Sequence, residues 1–190
     1  MEQLFPSTSL QGYLLMAMPT LMDPNFRQSV TCIAAHTDEG AVGVVINQIY
    51  EGVEGRMIFD ELEIPNSPAA ASLAIHVGGP VHTNELFVLH GPPLDWPDSL
   101  RIGDTLALSN SRAILEAIAR GEGPEDFLIT LGCAGWGPGQ LEWEMSQNAW
   151  LVTPGSRDII FDIPPPERWQ RAIEKLGIDP HALSGTAGHA

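Results

Sequence analysis

The chain has 190 residues, of which 44% are apolar, and nine basic residues stand against 24 acidic ones for a formal net charge of −15 at pH 7. That length fits one domain with a sizeable core. The charge argues against docking on nucleic-acid phosphates or an anionic membrane, since both need Lys and Arg.

Residues 1–9 read as a flexible arm, and Met1-Glu2-Gln3 lacks the basic start of a signal peptide. The apolar run 14–18 is too short to span a bilayer, so cytoplasmic residence without a membrane anchor is expected. Residues 13–18 read as a strand ended by Pro19, and Asp23 as an N-cap with Pro24 in the first helical position. Residues 29–36 and 41–47 are β-rich, and Thr37-Asp38-Glu39-Gly40 between them reads as a hairpin turn. Both runs are nearly all apolar rather than alternating, as in strands buried on both faces. Residues 50–56 read as a loop, 57–62 as a short helix, and 64–72, with Pro65 and Pro68, as irregular chain. Strands are expected at 73–77 and 86–90, separated by Gly78-Gly79-Pro80. Residues 91–103 hold three prolines and Trp96 and read as a long surface loop, a kind that often carries function. A strand at 104–109 leads to a helix at 111–120, where Ile114, Leu115 and Ile118 share a face, Glu116 and Arg120 are spaced to pair, and Gly121 ends the helix.

The most suggestive stretch follows. An apolar run, 127–131, feeds into four glycines, Gly132, Gly135, Gly137 and Gly139, and then into a run where Gln140 and Glu144, and Leu141 and Met145, stand four apart. That reads as a strand, a glycine-rich turn and a helix opened by Pro138. Backbone N–H groups at such a turn converge and favour an anion. The competing reading is tight packing: Gly135 and Gly139 would be positions where a side chain clashes, through positive φ or close approach, with Trp136 and Trp143 as packing residues. A phosphate loop ending in Gly-Lys-Ser/Thr is absent, since the only lysine is Lys175, and the glycine spacing misses the dinucleotide fingerprint. Cys133, at the mouth of the turn, is a redox candidate, whereas Cys32 sits in an apolar segment as a small buried hydrophobe. Two cysteines do not make a disulfide framework.

Strands are expected at 149–153 and 159–163, then a helix at 167–176 that buries Trp169, Ala172, Ile173 and Leu176 and ends at Gly177. Residues 178–190 are expected to be a disordered tail. The expected fold is α+β, a single layered domain over residues 10–177 with a mixed β-sheet covered by helices on both faces. The histidines show no metal-ligand spacing, Cys-x-x-Cys and Gly-x-Ser-x-Gly are absent, and Glu142 and Glu144, two apart on a helix, point away from each other. No catalytic set, metal or cofactor is implied.

Several short motifs are spread along the chain. They are Gly12-Tyr13-Leu14-Leu15 with Pro19, Phe26-Arg27-Gln28-Ser29-Val30, His36, Gly40-Ala41-Val42-Gly43, Ile46-Asn47, Gly78-Gly79-Pro80-Val81 and Leu89-His90. The strongest is Ala134-Gly135-Trp136 with Gly139-Gln140-Leu141-Glu142, followed by Asn148 and Trp150. In combination they resemble the YqgE/AlgH family over nearly the whole chain. The resemblance implies an α+β fold with a mixed sheet in a cytoplasmic bacterial protein, sometimes labelled a transcriptional regulator, with no agreed enzymatic activity. Two departures matter. Cys133 stands where relatives are expected to carry tyrosine, and Gln48-Ile49 stand where a basic residue and proline are expected, which weakens an anion site there.

Two readings follow. One is a non-enzymatic regulatory or interaction protein acting through protein partners, self-association included, without direct DNA binding. The alternative is a small-ligand or anion (nucleotide-like) binding protein, or weak enzyme, using the turn at 132–140. Its contributors would be Asn47, Gly79, His90, Gly135, Trp136, Gly139 and Gln140.

Overall fold

The computed structural model describes residues 9–184. Its strands are β1 (Tyr13–Ala17), β2 (Val30–Thr37), β3 (Gly40–Val45), β4 (Ile49–Glu54), β5 (Ala74–Val77), β6 (Val81–His90), β7 (Ser99–Ile102), β8 (Leu106–Ser109), β9 (Phe127–Trp136) and β10 (Trp150–Pro154). The helices are α1 (Gly55–Glu61), α2 (Pro68–Ala71), α3 (Arg112–Arg120), α4 (Gln140–Ser146), α5 (Arg168–Glu174) and α6 (Pro180–Ser184). The strands join in the order β10-β1-β2-β3-β9-β6-β8-β7, with β5 beside β9 and β4 beside β5. The β5–β9 pair is parallel and the other pairs are antiparallel, so this is an α+β fold with a mixed sheet. The sheet curls. The Gln11 side-chain amide donates both to Ala34 O on β2 (2.9 Å) and to Arg101 O on β7 (3.0 Å), tying strands that are far apart in the ladder.

The apolar strands bury both faces, as their lack of alternation requires. On β1, Leu14 and Met16 enter one core with Val30, Cys32, Val44 and Leu89. Leu15 and Ala17 enter another with Ile33, Val45, Trp136 and Trp150. A third core joins Ile75, Val88 and Ile129 to Phe59 of α1 and Ile114 and Ile118 of α3. Each fully buried Leu or Ile contributes about 1.5–3 kcal/mol.

Strand β9 connects the two halves of the sheet. Residues 127–131 pair with β6 and, from Ile129, with β5, while Ala134, Gly135 and Trp136 pair with Gly43, Val42 and Ala41 of β3. The expected glycine turn is therefore strand as far as Trp136, the turn is only Gly137-Pro138-Gly139, and α4 starts at Gln140 rather than at Pro138. The glycines serve a close backbone crossing instead. Gly79 has φ 149°, and a Cβ there would lie 2.3 Å from the Cys133 carbonyl oxygen. A Cβ on Gly132, at φ 75°, would lie 2.5 Å from Gly79 O. Gly135 has no such constraint. Its φ is not positive, and a Cβ would meet only Val81 Cγ2 at 3.7 Å, so the clash expected there does not arise.

Other differences have local causes. Residues 49–54 are an edge strand rather than a loop: largely exposed, they pair with β5 on one side. The long loop at 91–103 holds β7 at its end, and Pro68–Ala71 form one helical turn inside the irregular stretch. Residues Asp158–Asp162 form a π-helical turn, not a strand, and bury the adjacent Ile159 and Ile160. Glu116 pairs with Arg112 (2.7 Å) rather than Arg120, which takes Glu122 (2.8 Å). The expected tail is ordered at its start: Ile178 and Leu183 pack on the first core and α6 follows Asp179. Residues 1–8 of the arm and 185–190 of the tail lie outside the described residues. Among the described residues no helix is long and apolar enough to cross a membrane.

Three alanine substitutions separate these glycine roles in chemical denaturation. Gly79→Ala is expected to lose more than about 2 kcal/mol, Gly139→Ala about 1 kcal/mol for its positive φ, and Gly135→Ala within about 0.5 kcal/mol. Equal losses at Gly79 and Gly135 would contradict the crossing described here.

Candidate functional site

Four elements bring aromatic rings to one place. Trp136 ends β9, Trp150 begins β10, and Phe26 closes a 3₁₀ turn whose N-cap, Asp23, accepts from the Asn25 backbone N–H (2.9 Å). Helix α4 lies beside them. Its Leu141 is buried in the core, while Gln140, Trp143, Glu144 and Gln147, at helical spacing, line an opening of about 390 Å³. Phe26 stacks on Trp136 with centroids 6.0 Å apart and meets Trp150 edge-on at 5.5 Å. The two tryptophans meet edge-on at 6.0 Å.

Glu144 organises this cluster. Its Oε2 accepts from Trp136 Nε1 (2.9 Å) and Trp150 Nε1 (2.8 Å), and its Oε1 from Gln140 Nε2 (3.0 Å). Gln140 Oε1 in turn accepts from the Gly137 N–H (3.0 Å). A carboxylate is thus held by three neutral donors and no cation, which fixes both indoles by charge-assisted bonds. The charged residues lining the opening are Glu144 and Asp23, both acidic. Trp143 is 64% exposed and Met22 87% exposed at its edge. Glu142 points elsewhere, as its spacing required. It accepts from His36 Nε2–H (2.6 Å), whose Nδ1 accepts from the Leu10 N–H (3.0 Å). Burial pushes the Glu142 carboxyl up, but its own backbone N–H and the His36 bond and charge outweigh this and hold it below its ordinary value.

Of the residues picked from sequence, Gly135, Trp136 and Gln140 line this opening, and Gly139 is the left-handed N-cap of α4. The others lie elsewhere. Gly79 belongs to the strand crossing. His90 is fully buried: its Nδ1–H donates to Gly91 O (2.7 Å), so its Nε2 accepts from the Ser109 hydroxyl (2.8 Å), and Ser99 donates to Ser109. Burial lowers its pKa against the pull of the Gly91 carbonyl. With His90 and Ser109 both closed to solvent, this pair staples β6, β8 and β7 rather than meeting a substrate. The Cys133 thiol lies in the first core, and burial, then the Glu85 charge, raises its pKa, which opposes thiolate chemistry. Burial pushes the Cys32 thiol up to about 12.

Asn47 clips the start of β2: its Oδ1 accepts from the Val30 N–H (2.7 Å) and its Nδ2 donates to Gln28 O (2.8 Å). It lines a second cavity, of about 670 Å³, with Arg27, Gln28, Gln48, Trp169 and Gln170. Arg168 is buried next to that wall and donates to the carbonyls of Ile46 and Ile163. His76, also buried, has neither ring nitrogen hydrogen-bonded with good geometry. Burial, then the Arg168 charge, lowers its pKa to about 4 against a weaker pull from the Ile129 backbone.

The described fold and motifs have clear relatives. The family model described as AlgH-like, DUF179, matches residues 14–181. The chain belongs to the AlgH-like family. It is 49% identical over 181 residues to a UPF0301 protein of Desulforapulum autotrophicum, covering 95% of this chain and 96% of that one. It is 46% identical over 184 residues to a UPF0301 protein of Thioalkalivibrio sulfidiphilus, covering 97% and 98%. The solution structure of the AlgH protein from Pseudomonas aeruginosa superposes with a TM-score of 0.80 at 43% identity over 100% of both chains. A Corynebacterium diphtheriae protein shares the fold, with a TM-score of 0.71 at 21% identity over 96% of this chain and 92% of its own. In this AlgH-like chain the sequence reading missed Phe26, Glu144 and Trp150 as one cluster. The Gln140–Glu144 spacing was the local signal. Phe26 and Trp150 reach the site only through β1, which pairs with both β2 and β10.

His76 gives the protein a pH signature. The unfolded chain takes up a proton near 6.5 and the folded one only near 4, so between these values the unfolded state binds more protons. Stability from this group is complete above the upper value and falls by about 3 kcal/mol as pH drops through the window. Unfolding free energies from pH 7 to 4 should fall more steeply in the wild type than in His76→Leu. Identical slopes would contradict the assignment.

Proposed function

We propose that this protein is a non-enzymatic interaction protein of the AlgH-like type whose contact site is the acidic aromatic opening around Glu144. The observation that carries this reading is Trp143, 64% exposed beside an opening whose charged lining residues are Asp23 and Glu144. Tryptophan is among the side chains enriched at the energetic centres of protein contacts. The chemistry that fits is a partner segment carrying Lys or Arg next to an apolar residue. The cation lies over an indole face and near the carboxylates, while the apolar residue covers Met22 and Leu21. A net charge of −15 draws such a segment in.

Any regulatory role then runs through the partner rather than through DNA. Arg101, Arg112, Arg120, Arg157, Arg171 and Lys175 each pair with a carboxylate of this chain, which leaves too little free positive charge to neutralise the run of phosphates along a duplex. The buried His90–Ser109 pair and the shielded Cys133 support a binding role over catalysis.

Selection of displayed peptides on the wild-type protein, with Trp143→Ala as the counter-screen, tests the site. Because Trp143 is exposed, the substitution should change stability by no more than about 0.5 kcal/mol. Enriched peptides are expected to carry Lys or Arg beside an apolar residue and to bind Trp143→Ala about tenfold more weakly or worse. Peptides that bind both proteins equally, or that are acidic, would overturn the reading.

A further inference from the structure

The second cavity has the opposite character. In a chain with 24 acidic and nine basic residues, none of the residues lining this cavity of about 670 Å³ is Asp or Glu. Its lining includes Arg27, His181 and the carboxamides of Gln28, Asn47, Gln48 and Gln170, over an apolar base of Met18, Pro19, Pro166 and Trp169. Six other basic residues are neutralised by ion pairs, but Arg27 has no carboxylate partner among the described residues.

Three observations make this more than an exposed arginine. First, Arg168 adds an uncompensated charge beside the wall. It is 3% exposed, and its partners are two backbone carbonyls, one of them on Ile46, the residue before Asn47. Burial lowers its pKa to about 10, which leaves it charged at neutral pH. Neutral carbonyls solvate that charge without cancelling it, so Arg168 contributes positive charge beside the cavity. Second, the Arg27–Gln28 segment is held in place. Gln28 has φ 50°, a left-handed conformation that a glutamine adopts at an energetic cost, and the Asn47 side chain secures it by donating to the Gln28 carbonyl (2.8 Å). Third, donors are available. The Gln28 side-chain amide makes no hydrogen bond among the described residues, and that of Gln48 reaches Asn25 O only at 3.5 Å.

We propose that this cavity binds a small phosphorylated molecule of about mononucleotide size, with Arg27 holding the phosphoryl group and the carboxamides of Gln28 and Gln48 as further donors. A phosphoryl group presents several acceptor oxygens to a guanidinium fork and to amide N–H groups, so it uses more of these donors than one carboxylate does. The volume falls within the range of small-ligand sites, and Trp169 with the prolines gives the rest of the molecule an apolar surface.

Thermal melts of the full chain at matched ionic strength test this, with inorganic phosphate, AMP, ribose 5-phosphate and citrate as probes. At least one phosphate ester is expected to raise Tm by about 2–6 °C at millimolar concentration. Arg27→Ala should weaken that ligand about tenfold or more. Arg56→Ala, an exposed arginine lining a different cavity, should leave the shift intact. No rise with any phosphorylated probe, a rise with citrate alone, or a rise that survives Arg27→Ala would each overturn the proposal. Trp143→Ala is expected to retain the shift, which keeps this outcome separate from that of the aromatic site.

Discussion

The two halves of the sheet share one strand, and everything else depends on how that strand gets past its neighbours. Strand β9 pairs with β5 and β6 first and with β3 afterwards, and the change of partner falls at Gly132-Cys133. At that point Gly79 approaches so closely that a single methyl group would overlap the Cys133 carbonyl. Sheet spacing is set by backbone hydrogen bonds and does not stretch to admit a side chain, so the crossing demands glycine. The consequence reaches Trp136, three residues past Cys133, whose place depends on β9 keeping its register with β3.

A carboxylate then fixes what β9 delivers. Glu144 is ringed by indole and amide donors, and no arginine or lysine bonds to it. Replacing water around a carboxylate with oriented neutral dipoles keeps its charge outwardly visible, whereas an ion pair would cancel it. The opening therefore stays acidic while its rings stay rigid. Rigid aromatic surfaces lose little entropy on binding, which is the physical reason that such residues anchor interfaces.

How much of this was legible beforehand depends on the range of the interaction. Strands β1, β2, β3, β5 and β8 and helices α1, α3 and α5 were readable because their apolar residues and caps are local signals. Gly121 after Arg120 marks the end of α3 in the sequence itself, as Asp23 before Pro24 marks the start of the 3₁₀ turn. The glycine stretch misled because glycine marks both turns and close strand crossings, and only the partner, here Gly79, tells which. The π-helical turn at 158–162 misled because Ile159 and Ile160 side by side look like a strand without a tertiary context. Among the residues singled out as a candidate site, Trp136 and Gln140 line the aromatic opening, where the motif that holds them places them. His90, singled out with them, lies on β6 under a different set of contacts.

The distribution of charge gives the last constraint. A chain this acidic repels itself, and most of its basic residues are used up in local pairs that relieve it. Against that background Arg27 and Arg168 stand beside one cavity with no carboxylate partner among the described residues. The contrast is sharp in sequence: Phe26 faces the acidic aromatic opening and Arg27, the next residue, lines the basic cavity. Leu21 lines both. The segment from Leu21 to Gln28 is thus a partition with a different chemistry on each side. Its turn is closed internally by the Asp23 cap, its start is tied to Met18 O by the Leu21 N–H (2.9 Å), and its end is held by Asn47. A partition fixed at both ends can keep two incompatible electrostatic environments apart over a few residues.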